Sequence, residues 1–151
     1  MSEETREYII GKAQSLFYRY GIRSISMDFI ASELSMSKRT LYEMFGDKDD
    51  LLFESIKLIS EQRPREILST IGPCENSLEL LFKCSRAMLE GGIVSDVEKR
   101  MALNLKKFYP NIAEKVFHYH SEVSINALKG TLKQACDEGY IEPNIDIELM
   151  I

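Results

Sequence analysis

Between Ser26 and Leu52 the chain reads S-M-D-F-I-A-S-E-L-S-M-S-K-R-T-L-Y-E-M-F-G-D-K-D-D-L-L, and no other stretch constrains the fold as tightly. Ile30, Ala31 and Leu34, then Leu41 and Phe45, follow helical spacing. Leu34 to Ser37 separate the two runs, so the pattern predicts two short helices joined by a tight turn. Ser37 suits the N-cap of the second helix. Directly behind it stand Lys38, Arg39, Thr40 and Tyr42. Two cations, a hydroxyl and a phenol therefore fall on its exposed first turns. A helix-turn-helix reads a major groove with this part of its second helix. A plain amphipathic helix pair with a solvated basic corner carries the same local pattern.

The flanking segments narrow the choice. From about Glu4 to Tyr20 the chain predicts a long amphipathic helix with Ile9, Ala13, Leu16, Phe17 and Tyr20 on one side. Gly21 then suits a left-handed position after the helix. On the other flank Gly46 closes the second short helix and Asp47 caps the next, whose early acids favour its positive end. This order resembles the N-terminal domain of the TetR (tetracycline repressor-like) family of bacterial transcription regulators. The residues that carry the resemblance are Ala13, Leu16, Phe17, Gly21, Ile30, Ala31, Leu41, Tyr42, Phe45, Lys48, Leu51 and Leu52. They cover about the first fifty residues in unbroken spacing. A weaker likeness lies at Leu105 to Pro110 with Ile112, where many such regulators separate two effector-domain helices with a tyrosine-proline pair.

The chain departs from the family pattern in the turn. Leu34, Ser35 and Met36 stand where a small residue, a glycine and a valine are usual. Ser35 is expected to take the backbone shape of that glycine, at some strain if φ is positive. Glu43 and Met44 occupy places where an aromatic and a histidine are frequent.

The resemblance implies an all-α fold. Residues 1–47 would form a three-helix DNA-binding domain, and residues 48–151 a helical bundle that senses a ligand and dimerises. It implies a repressor, released from a near-palindromic operator in double-stranded DNA by a small-molecule effector. The full-length protein would be a homodimer that sets two recognition helices in successive major grooves. Lys38 and Arg39 are the candidates for base edges, since arginine to guanine is the commonest specific contact. Thr40, Tyr42 and Lys48 suit phosphates, and the hydroxyls of Ser26 and Ser37 can donate there. Glu43 is a candidate acceptor from a cytosine amine, or a charge that only repels wrong registers. An effector pocket would draw on Phe82, Met88, Met101, Phe108, Phe117 and Tyr119, aromatics and thioethers from three helices. Residue by residue, ordinary core packing explains the same six.

Charge bears on the DNA reading. The chain carries a net −5, and its first fifty residues hold seven Lys/Arg against nine Asp/Glu. A basic domain is thus absent, and the expectation is local contact through Lys38, Arg39 and Lys48 with modest non-specific affinity. The first twenty residues are charged and amphipathic, unlike a signal peptide. No apolar run approaches the roughly 20 residues of a membrane span. A cytoplasmic protein is expected, with Cys74, Cys84 and Cys136 as free thiols.

The remainder reads as helical. A helix from Asp47 to about Gln62 should break or bend at Arg63-Pro64. Asn76 caps a helix that stops at Gly91-Gly92, Asp96 opens another ending near Tyr109, and a long helix runs from Pro110 or Asn111 to Glu138 before Gly139. Glu148 to Ile151 look like the first turn of a further helix, so the chain is read as a piece of a longer protein. His118 and His120, at i and i+2, point to different faces, so no metal site is expected, nor any cofactor. No nucleophile, base and oxyanion donor assemble, so an enzyme is not expected. A helical-bundle enzyme or cofactor carrier, and a protein-interaction adaptor, remain as the alternative readings.

Overall fold

The computed structural model describes residues 3–90, 95–142 and 144–146, apart from the side chain of Met88. The described residues are helical, with no strand among them: α1 (Glu3–Tyr20), a 3-10 turn (Ile22–Ser24), α2 (Met27–Glu33), α3 (Lys38–Phe45), α4 (Lys48–Ile71), α5 (Ser77–Leu89), α6 (Asp96–Phe108) and α7 (Pro110–Asp137). The stop expected at Gly91-Gly92 and the helical turn expected at Glu148–Ile151 lie outside the described residues.

Two compact units divide the chain. One comprises Met1–Glu61 with Ser95–Phe117, the other Gln62–Val94 with His118–Ile151. The unit that holds the short helix pair therefore extends well past residue 47. Its core explains why. Ile9, Ile10, Ala13 and Phe17 of α1 meet Ile30 and Ala31 of α2, Leu41 and Phe45 of α3, and Leu51, Leu52 and Ile56 of α4. Leu105 of α6 and Ile112 of α7 complete the same core. Short helices such as α2 and α3 are marginal alone, and this burial is what holds them.

Local chemistry fixes the turns. Ser26 Oγ accepts from Phe29 N at 3.2 Å, and Ser37 Oγ accepts from Thr40 N at 3.0 Å, so each short helix has a side-chain cap. Between them the chain turns on Ser35, whose φ is 52°. Ser35 N donates to Ser32 O and Met36 N to Ala31 O, both at 3.0 Å. This is the Schellman arrangement that normally takes glycine. The strain expected at Ser35 is therefore present. Asp47 Oδ1 accepts from Asp50 N at 2.9 Å and starts α4.

In the second unit Asn76 Oδ1 accepts from Glu79 N, while Glu79 Oε2 reaches back to Glu75 N. Ser95 and Glu98 form a capping box at the head of α6 in the first unit. Gly139, with φ of 80°, closes α7 through Gly139 N to Cys136 O and Tyr140 N to Ala135 O.

One expectation is corrected. Pro64 does not end the helix that starts at Lys48, because α4 continues to Ile71. Proline removes a single N–H, the one directed at Ser60 O. Glu61, Gln62, Arg65, Glu66 and Leu68 favour the helix on both sides.

Candidate nucleic-acid interface

The candidate reading surface is built by α2, the turn at Ser35 and α3. Burial of Leu41 and Phe45 fixes which face of α3 points inward. Lys38, Arg39, Tyr42 and Glu43 are exposed by the same rotation, and Thr40 lies between. Sequence-predicted positions 37 to 43 are thus brought together on one small surface. Ser26 lies across the turn at the head of α2, with its Oγ lone pair already spent on Phe29 N. Ser37 Oγ and Thr40 Oγ1 are 2.7 Å apart, so one of these hydroxyls donates to the other.

Both cations on this surface are paired within the chain. Lys38 Nζ lies 2.7 and 2.8 Å from the two oxygens of Asp28 on α2. The hydrogen bond to Asp28 is the main reason that the Lys38 pKa is raised from its ordinary value. Its ammonium also stands 5.9 Å from the Tyr42 ring. Arg39 donates from Nε to Glu43 Oε1 at 2.7 Å, one helical turn along. Arg39 is the more open of the two cations, with its side chain 87% exposed. The local excess of positive charge is therefore smaller than the bare count of cations implies.

Lys48 is set differently. It is half-buried at the start of α4, with Nζ 5.9 Å from the ring of Tyr109 at the end of α6. Burial pushes its pKa down from the ordinary lysine value, and Asp49 partly offsets this. A second cation–π contact lies nearby, Arg23 over Phe108 at 4.5 Å. Tyr20 and Phe29 stack edge to face at 5.9 Å on the outer side of the helix pair.

Sequence reasoning missed Asp28 and Tyr109 as neighbours of the predicted contacts. Asp28 is ten residues from Lys38, so no local spacing rule joins them. Tyr109 was marked by its Tyr-Pro pair, yet nothing in the pattern tied it to Lys48.

The six residues expected around an effector fall on both units. Met101, Phe108 and Phe117 belong to the first, Phe82, Met88 and Tyr119 to the second. Phe82 and Phe117 lie on the surface, 69% and 67% exposed, rather than in an interior. Phe108 is 39% exposed beneath Arg23 and Lys107. Met101 and Tyr119 are half-buried, and the Met88 side chain lies outside the described residues. A hollow of about 200 Å³ in the first unit is lined by Phe17, Ile22, Val97, Arg100, Met101 and Asn104 among others. Of the five whose side chains are described, Met101 borders it. Among the described residues no helix is long and apolar enough to cross a membrane.

Residues 9–55, from the middle of α1 into α4, match the profile of the bacterial regulatory proteins of the tetR family. This stretch is similar to the N-terminal domain of the TetR family. The chain is 36% identical over 77 residues to the HTH-type transcriptional regulator HbdR of Aromatoleum sp. (strain CIB), a match over 48% of this chain and 34% of that protein. It is 44% identical over 54 residues to the HTH-type transcriptional regulator SAB2452 of Staphylococcus aureus (strain bovine RF122 / ET3-1), covering 36% and 29%. The chain thus matches about a third of the length of these curated relatives. Its fold also resembles that of the fatty acid degradation regulator FadR from Bacillus halodurans. The TM-score is 0.64 at 18% identity, across 99% of this chain and 77% of that one.

Proposed function

We propose that this TetR-family chain is a DNA-binding transcription regulator, acting in the cytoplasm as a repressor. Residues 1–47 bind a near-palindromic operator, and residues 48–151 sense a small-molecule effector and take part in homodimerisation. Repression and effector release are usual in the family. One observation carries the reading: a Ser37-capped α3 that buries Leu41 and Phe45 and turns Arg39 outward on its first turn. Arg39 and Lys38 face base edges, while Ser26, Ser37, Thr40, Tyr42 and Lys48 take phosphates. Glu43 belongs to the same surface. The effector changes the spacing of the two heads, which it can do only through unequal affinity for two states.

Binding of a fluorescent duplex of about 30 base pairs, followed by anisotropy across salt concentrations, tests this. The expected result is a linear fall of log K with log salt, with a slope of about −0.9 per neutralised phosphate. The internal ion pairs Lys38–Asp28 and Arg39–Glu43 keep the sequence-independent part modest. Absence of salt-dependent binding overturns the reading in favour of a protein-interaction adaptor.

A further inference from the structure

We infer that Glu43 is a positioning residue for Arg39, holding its guanidinium end-on for a guanine; the inference rests on the DNA-binding reading above. The two cations of the reading surface are held by carboxylates in different ways. Lys38 gives its ammonium to both oxygens of Asp28, at 2.7 and 2.8 Å, and sits against α2. Arg39 gives only Nε–H, to Glu43 Oε1 at 2.7 Å. A guanidinium carries five N–H groups, so four remain on the two terminal nitrogens. Two of them, one on each terminal nitrogen, form the end-on edge that takes guanine O6 and N7 as a bidentate pair.

Among the described residues this side chain makes no other hydrogen bond or ion pair. Arg39 is 87% exposed, and an unheld arginine at such a place samples many rotamers. Glu43 lies four residues on, along the same face of α3, where the bond can form without distorting the helix. A carboxylate on a DNA-facing surface repels phosphate, so Glu43 lowers affinity for all sequences. What it returns is a fixed fork. The bond ties Glu43 to Arg39 across one helical turn, which assigns Glu43 to support of a base contact rather than to base contact itself.

Four proteins separate these roles: the wild-type chain, Arg39→Ala, Glu43→Ala and Glu43→Gln. Each is mixed with a pool of duplexes randomised at their centre, and the bound fraction is sequenced to give base preference by position. Affinity for a fixed unrelated duplex is measured alongside. Both Glu43 variants remove one negative charge, so both should bind the unrelated duplex more tightly, by similar factors. Preference should separate them. Glu43→Ala should relax the guanine preference at the position that Arg39→Ala abolishes, by about two- to twelvefold, the equivalent of immobilising one long side chain. Glu43→Gln keeps an acceptor for Nε–H and should retain most of the preference.

If Glu43→Ala keeps wild-type preference, the inference is wrong. It is equally wrong if both variants lose a cytosine preference that Arg39→Ala leaves intact, since Glu43 then reads a base itself. If Arg39→Ala shifts no position while binding persists, the failure lies with Arg39 as a reader, and the inference falls with it.

Discussion

Replacing Ser35 by glycine should stabilise the first unit. Ser35 has φ of 52° and is exposed, so the change removes a strained Cβ without opening a cavity. The left-handed region costs an L-residue roughly 1–2 kcal/mol. Glycine gives back part of that gain, because its unfolded chain has more freedom to lose, about 0.4–1 kcal/mol. The difference leaves a net stabilisation of about 0.5–1 kcal/mol, equivalent to a rise in Tm of about 1–4 °C for a chain of this size. The two bonds of the turn, Ser35 N to Ser32 O and Met36 N to Ala31 O, should persist. Urea denaturation followed by circular dichroism gives the energy. Amide exchange at Met36 shows whether the gain lies in this turn. Ser35→Ala keeps the Cβ and should stay within about 0.5 kcal/mol of wild type. Ser35→Val adds a branched side chain at the same φ and should destabilise. If Ser35→Gly is less stable than wild type while Ser35→Ala is unchanged, only the entropic effect is operating and the strain argument is refuted.

Further expectations follow from the same geometry. Arg39→Ala should cost about 1–3 kcal/mol of specific DNA affinity and relax one base position per half-site, whereas an equal loss on every sequence assigns Arg39 to phosphate. Lys48→Ala should weaken binding to all duplexes alike and lower the salt slope by about one per head, and an unchanged slope removes Lys48 from the contacts. Phe108→Ala should cost only about 1–2 kcal/mol in thermal denaturation, because the ring is part-exposed and loses mainly its contacts with Arg23 and Lys107; a cost of about 3–5 kcal/mol would mark it as ordinary core. In the second unit, Ser77 Oγ and N donate to Glu138 Oε2 at 2.6 and 2.9 Å and hold that carboxyl below its ordinary pKa. The contribution is complete above the ordinary carboxylate pKa and is lost as pH falls through the lowered one, so carbon NMR titration should show Ser77→Ala returning Glu138 toward the ordinary value.

Much of the first unit was legible in the sequence because its signals are local. Ser37, Asp47 and Gly46 announce helix ends by chemistry that acts over three or four residues, and the structure uses each of them so. Ser35 was legible for the same reason: a Schellman turn needs a left-handed residue at that place whatever occupies it. Arg39–Glu43 follows the i,i+4 rule and could have been read directly. Lys38–Asp28 could not, since it depends on how α2 crosses α3. Pro64 misled because a missing N–H does not by itself end a helix whose flanks favour it. The six aromatics and methionines were the least legible group. Helical spacing says which residues share a stripe, but not how far each is buried, and Phe82 and Phe117 are mostly exposed.

The central claim is that the start of α3 is the surface that meets DNA. It is tested most directly by amide NMR of the 15N-labelled chain, titrated with a duplex enriched from a randomised pool. The account predicts the largest shift changes from Ser37 to Glu43 and at Lys48, with the Arg39 side-chain Nε signal moving as well. Changes confined to α5 or α7, with α3 unmoved, would contradict it.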